Sequence, residues 1–230
     1  MLSSLLRGGF SLIDILPFII SSVLIIFFVL PLHEWAHAFS ASKLGDPTPG
    51  YQGRLTLNPF AHIDYFGALM LILFGVGWAK PVQFNSRYFN NIKRDIAITA
   101  AAGPLMNLFL AFIFMFIKNL YVYFLGLQLF VNPQSIFYII YFVFEYFIII
   151  NISLAVFNLI PIPPLDGSRI LFTFLPTRVY LKIMEYERYF SFILLAILFS
   201  SVSSGILSDI NSYIYGAFDF ITALPFNLLR

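Results

Sequence analysis

His33 and His37 stand four residues apart in Leu32-His33-Glu34-Trp35-Ala36-His37-Ala38, and Glu34 follows the first of them directly. On a helix, residues four apart share a face, so both imidazoles can reach a single metal ion. Glu34 can then reach a water on that ion as general base, the arrangement used by hydrolytic zinc sites. The run from Ile13 to Leu32 is almost continuously apolar. Two histidines and a carboxylate are costly at the end of such a segment unless they bind something or pair. The plain alternative is a pair of histidines that only hydrogen-bond to neighbouring helices, and the short pattern alone leaves both readings open.

The elements that must hold these residues are membrane helices. The chain is 60% hydrophobic and 10% charged, with a mean hydropathy of +0.89, whereas about a quarter of residues are charged in soluble domains. Its apolar stretches are long and unbroken, which favours helices over the short alternating strands of a barrel. There are no cysteines, which excludes disulfides and thiolate ligands. A metal must therefore be held by His, Asp or Glu, with an open position for water. The net charge is only +2 and no basic cluster occurs, so nucleic acid is excluded as a partner. Because the motif closes the first apolar run, that run is expected to be a retained span and not a cleaved signal.

The first span is expected over about Leu12 to Ser42, with Pro31 causing a kink that a packed bundle tolerates. Residues 43–95 form a polar connection in which Tyr51 to Leu57 and Val82 to Asn85 alternate like short β-strands. Between them Phe66 to Val76 is apolar for only about eleven residues, too few to span, and reads as a re-entrant or partly inserted helix. A second span covers about Ala97 to Phe116. A third covers about Phe137 to Leu159 and runs into Ile160-Pro161-Ile162-Pro163-Pro164-Leu165-Asp166-Gly167. A fourth is expected over about Phe190 to Leu207, with an interfacial tail from Tyr213 to Arg230. The predicted fold is thus an all-α polytopic membrane protein of about four transmembrane helices, one domain over 1–230 with its core at about 12–170.

Charge sets the orientation. Lys43, Arg54, Lys80, Arg87, Lys93 and Arg94 fall in the 43–95 connection, and Arg169, Arg178, Lys182 and Arg188 in the 167–188 connection. The 118–134 loop has only Lys118, and the termini only Arg7 and Arg230. The positive-inside rule then makes both basic connections cytoplasmic and both termini external. His33 would lie ~14 Å from the cytoplasmic end of its span, and Asn107 ~15 Å from that end of the second. Irregular backbone after the third span could carry Asp166 back to a similar depth, which is permitted where it is buried or lines a wet cavity.

A catalytic zinc site typically has three protein ligands, and Asp166, Asp64, His62 and Glu145 are the candidates for the third. Asp166 is favoured, since it follows a rigid, unwound helix end; a simple turn or cap aspartate is the alternative. Glu145 lies ~20 Å further from the cytoplasm than Asn158 at helical rise, so it is expected to pair with a neighbouring helix or be protonated. His62 and Asp64 either support the site or are ordinary turn residues. Asn107 and Asn158 are amides in apolar helices, where a polar group needs a partner. They either bond to neighbouring helices or position a substrate and its developing oxyanion.

Taken together, these segments resemble the site-2 protease family of intramembrane zinc metalloproteases in a compact form without PDZ or CBS domains. The resemblance covers about residues 20–170. It rests on His33-Glu34-Trp35-Ala36-His37-Ala38, Asn58-Pro59 through His62-Ile63-Asp64 to Gly67, Trp78-Ala79-Lys80-Pro81-Val82, Ala102-Gly103-Pro104 with Asn107, and Asn158 through Leu165-Asp166-Gly167. It implies one zinc per chain bound by His33, His37 and Asp166, with Glu34 as catalytic base and Asn107 and Asn158 near the substrate. It also implies a multi-pass protein of the prokaryotic plasma membrane that cuts transmembrane segments of other proteins, such as a membrane-tethered regulator or anti-sigma factor. The expected edges at Arg54–Leu57 and Val82–Asn85 could hold an unwound substrate by strand addition. Two other readings stand beside it: a non-catalytic relative that binds transmembrane helices, and a membrane metal transporter.

Overall fold

The computed structural model describes residues 12–74, 77–126, 135–186, 189–190 and 203–228. The chain enters as α1 (Leu12–Leu24), passes through a π-helical turn at Ile25–Val29, and continues as α2 (Leu30–Lys43). In that turn the Leu30 N–H bonds to the Ile25 carbonyl, five residues back. The wider turn comes immediately before Pro31, which has no N–H to offer the helical ladder. Pro31 is thereby accommodated in the first turn of α2.

After the short α3 (Thr48–Tyr51) come α4 (Tyr65–Phe74), α5 (Ile92–Leu125), α6 (Ile136–Asn158), α7 (Asp166–Leu171), α8 (Thr177–Met184) and α9 (Ser203–Leu228). Among the described residues, three helical stretches are long and apolar enough to cross a membrane: Leu16–Lys43, Ile92–Leu125 and Ile136–Asn158. α5 is the central post, packed against α2, α6, α7 and α9. One apolar cluster joins Ile25, Val29, Leu110 and Phe147 with Ile63 and Leu71 from the connection. A second joins Met115, Ile148 and Ile152, with Leu207, Ile214 and Phe218 of α9 packed against it. The opposite faces of the same helices expose Ile19, Phe27, Phe28, Ile113 and Phe116. Helices apolar on every side are what a lipid surround requires.

The structure corrects the sequence reading in several places. No strand occurs among the described residues, only an isolated antiparallel bridge between Ile63 and Ala79. Tyr51 to Leu57 starts inside α3 and turns at Gly53 (φ 66°), so its alternation reflects a turn. Val82 to Asn85 forms no ladder because two of its amides are taken by carboxylates: Val82 N–H donates to Glu34 and Asn85 N–H to Asp46. α5 outruns the expected second span at both ends, and Lys118 belongs to it and not to a loop. Lys118 is buried because Glu145 and Asp219 neutralise it within the bundle, at 3.1 and 3.5 Å. The residues from Tyr213 onward belong to α9, which packs along α5 and α6 with Asn211, Tyr215, Asp219 and Thr222 turned toward them. The expected fourth span falls mostly at 191–202, outside the described residues.

Candidate metal centre

Each side of the motif has a local reason to be where it is. α2 carries His33 and His37 on one face, both buried. Across from them, α5 presents Thr99, Gly103 and Asn107 at intervals of four residues, hence on one face. The Thr99 carbonyl accepts a hydrogen bond from His37 Nδ1 at 2.7 Å. A carbonyl only accepts, so Nδ1 carries a proton, and in the neutral ring Nε2 presents its lone pair to the interior. α5 can come this close because residue 103 is glycine: a Cβ there would stand 2.3 Å from His37 Nε2 and 2.7 Å from His33 Cε1.

Asp166 arrives from the other direction. Residues after α6 unwind into turns, and Asp166 opens α7 with Leu165 as its N-cap. A carboxylate is favoured at a helix start by the exposed amide dipoles. Gly167 lets this turn press against the end of α6, since a Cβ there would meet the Leu159 carbonyl oxygen at 2.3 Å. The Asp166 carboxylate faces the imidazoles of His33 and His37.

The three ligand atoms form a nearly equilateral triangle. His33 Nε2 and His37 Nε2 are 3.1 Å apart, and Asp166 Oδ2 is 3.4 and 3.2 Å from them. A tetrahedral zinc with bonds of about 2.0–2.1 Å has its ligand atoms about 3.3–3.4 Å apart. Two ring nitrogens and an ionised carboxylate oxygen aimed at one point fit a cation there. No other such group of three occurs among the described residues.

Glu34 shares a cavity of about 330 Å³ with this trio, and its Oε2 accepts from the Val82 N–H at 2.8 Å. Asn107 and Asn158 line the same cavity. The Asn107 side chain is fully buried and neither its nitrogen nor its oxygen has a partner. Asn158 donates to the Leu154 carbonyl one turn back, at 3.0 Å. Segment 77–84 closes one wall through Gly77, Trp78, Pro81 and Val82. It is tied to the connection by the Lys80 N–H on the His62 carbonyl (2.8 Å) and by the packing of Gly67 against Trp78.

His62 and Asp64 are not brought to the trio. His62 is completely buried and its Nε2 meets the Thr56 carbonyl at 2.9 Å. Asp64 accepts from the Gly67 N–H at 2.8 Å and caps the start of α4. Glu145 is bound up with Lys118 and Tyr215, as the depth argument requires. Thr99 escaped the sequence reading, and its spacing of four and eight residues from Gly103 and Asn107 was the available signal. Gly103 and Val82 entered it only as parts of the quoted motifs, without a role, since one contributes the lack of a Cβ and the other a backbone amide.

Residues 21–201 match the family described as Peptidase family M50. YwhC of Bacillus subtilis, described as a candidate zinc metalloprotease, is 37% identical over 190 residues, covering 81% of this chain and 82% of the relative. Rip2 of Mycolicibacterium smegmatis and MJ0611 of Methanocaldococcus jannaschii, described in the same terms, are 31% and 29% identical over 144 residues each. Those two alignments cover 60% of this chain, with 51% of Rip2 and 62% of MJ0611. No solved structure matches the chain at a significant level.

Proposed function

This chain belongs to peptidase family M50, and from that membership we propose that it is a zinc-dependent endopeptidase that cuts peptide bonds within or near transmembrane segments of other proteins. The observation that carries the reading is the triangle of His33, His37 and Asp166 facing Glu34 in one cavity. In it, one zinc per chain is held by His33, His37 and Asp166. Zinc bound there supplies Lewis acidity toward the scissile carbonyl and acidifies the attacking water.

The chain's own residues do the rest. Glu34 takes the proton of the attacking water and passes it to the leaving amine. The Val82 amide fixes the orientation of the Glu34 carboxylate, and the Thr99 carbonyl that of the His37 ring. Asn107, with an uncommitted amide at the cavity wall, donates to the oxyanion as it develops. Asn158 borders the substrate at the end of α6. Segment 77–84, which closes one wall of the cavity, borders the substrate, which must be unwound before water can attack. His62 and Asp64 support this wall from behind.

The finer topology completes the proposal: four crossings, α4 as a partly inserted segment, both basic connections in the cytoplasm and both termini outside. The site then lies in the cytoplasmic half of a multi-pass plasma-membrane protein, and a membrane-tethered regulator or anti-sigma factor is the class of substrate it serves. A transporter would need ligand groups along the membrane depth. The other buried ionisable cluster, Lys118 with Glu145 and Asp219, is satisfied internally.

The test compares purified wild type with Glu34→Gln, measuring bound zinc by elemental analysis and cleavage of a panel of single-span substrates. One zinc in each, with cleavage only by wild type, is the expected result. Zinc binding without any cleavage in the panel would favour the helix-binding relative instead, and failure to bind zinc after reconstitution would defeat the metal site.

A further inference from the structure

A second cleft, of about 710 Å³, adjoins the metal cavity, and Pro81 lines both. Its other walls include Gln52, Arg54, Phe60, Lys80 and Gln83. Arg54 is only 7% exposed. Its Nη1 donates to the carbonyls of Ala61 and Lys80, which supply dipoles but no charge. Among the described residues no carboxylate stands within ion-pair distance of it; the ion pairs there employ Asp166, Asp95, Glu145 and Asp219. Buried charges are ordinarily paired, and a guanidinium has five donors in a planar fork matched to a carboxylate. Lys80, exposed in the same cleft, adds a second positive charge, and no acidic residue lines the wall.

We propose that this cleft is a carboxylate-binding subsite: Arg54 and Lys80 receive an acidic side chain of the peptide substrate close to the scissile bond. The inference rests on the protease reading above. The shared Pro81 wall favours a substrate side chain over a lipid headgroup. A peptide extended along segment 77–84 sends alternate side chains to opposite sides at about 3.3 Å per residue, so one of them passes over Pro81 into the cleft. Arg54 is thereby a specificity-determining residue, while Glu34 and the metal ligands act on any sequence.

The experiment uses the full chain, zinc-loaded, in phosphatidylcholine nanodiscs. A single-span substrate that wild type cuts is scanned with Asp against Asn at each cytoplasm-proximal position flanking the cleavage point. At one position Asp raises kcat/KM about tenfold over Asn, the order expected of a charge-assisted hydrogen bond. That preference is lost in Arg54→Gln and Lys80→Gln, and in Lys80→Glu it inverts toward Lys at the same position. The Lys80 variants keep the test valid if Arg54→Gln fails to fold. Equal cleavage of Asp and Asn substrates at every position overturns the subsite and leaves the protease intact. Acceleration by added phosphatidylglycerol that requires Arg54, with no Asp preference, overturns it in favour of a lipid headgroup. If zinc-loaded wild type cuts nothing, the protease reading falls and the subsite with it.

Discussion

Gly103 lies against His37 so closely that a Cβ on the glycine would stand 2.3 Å from the imidazole Nε2. The centre of the site is therefore built by what α5 lacks as well as by what α2 carries. Gly103→Ala is expected to displace both imidazoles and lower zinc affinity by about 10–100-fold, the range seen when ligand orientation is disturbed. Titration with a competing chelator measures it, and unchanged affinity would mean that the helices part without cost.

Glu34 is separable from the metal. Glu34→Gln should retain zinc and lose ~10²–10⁴-fold in kcat, the range attributed to general acid–base catalysis. Asp166→Ala should lose zinc and activity together, since it removes one of the three groups that could hold the ion. If Asp166→Ala binds zinc as wild type does, the triangle is not the binding site.

The Val82 amide gives a finer test, because it can be deleted without touching a side chain in the motif. Val82→Pro removes the N–H that meets Glu34 at 2.8 Å, while Val82→Ala keeps it. The expected outcome is a fall in kcat for the proline variant at unchanged zinc content, with near-normal turnover for alanine. Equal turnover in the two would show that the contact is dispensable.

Asn107 has no partner for either polar atom of its amide, a costly state for a group kept only for packing. Asn107→Ala should reduce kcat by ~10²–10³-fold, the effect of removing one oxyanion donor, with little change in zinc content. A change confined to KM would instead assign it to substrate binding before the chemical step.

Far from the chemistry, Lys118 bridges α6 and α9 through Glu145 and Asp219. Lys118→Met leaves acidic groups without their counter-charge and should destabilise the chain by about 3–5 kcal/mol, as for a broken buried pair. Thermal unfolding in detergent measures this, and adding Glu145→Gln should restore part of the loss.

The motif on α2, the run of apolar segments and the break before Asp166 were all legible in the linear chain. Periodicity and hydropathy are local properties, and a His-Glu-x-x-His pattern needs only one helical turn to be meaningful. The depth argument also held for Glu145, because helical rise is constant. The apparent strands failed for the complementary reason: alternation in Val82 to Asn85 is real, but the partners of its amides are Glu34 and Asp46, distant in sequence. Lys118 was misread because a lone lysine near a helix end looks solvated until its counter-ions on other helices are known.

By itself, then, the sequence determined that this protein is a bundle of apolar helices carrying a two-histidine metal motif and an aspartate at an unwound helix end. Only the tertiary structure decided that Asp166 meets the two imidazoles at 3.2–3.4 Å, that Gly103 and Thr99 seat them, and that a backbone amide from residue 82 holds Glu34. Those contacts join segments dozens of residues apart, and their distances are set by how helices and turns pack, which no local pattern encodes.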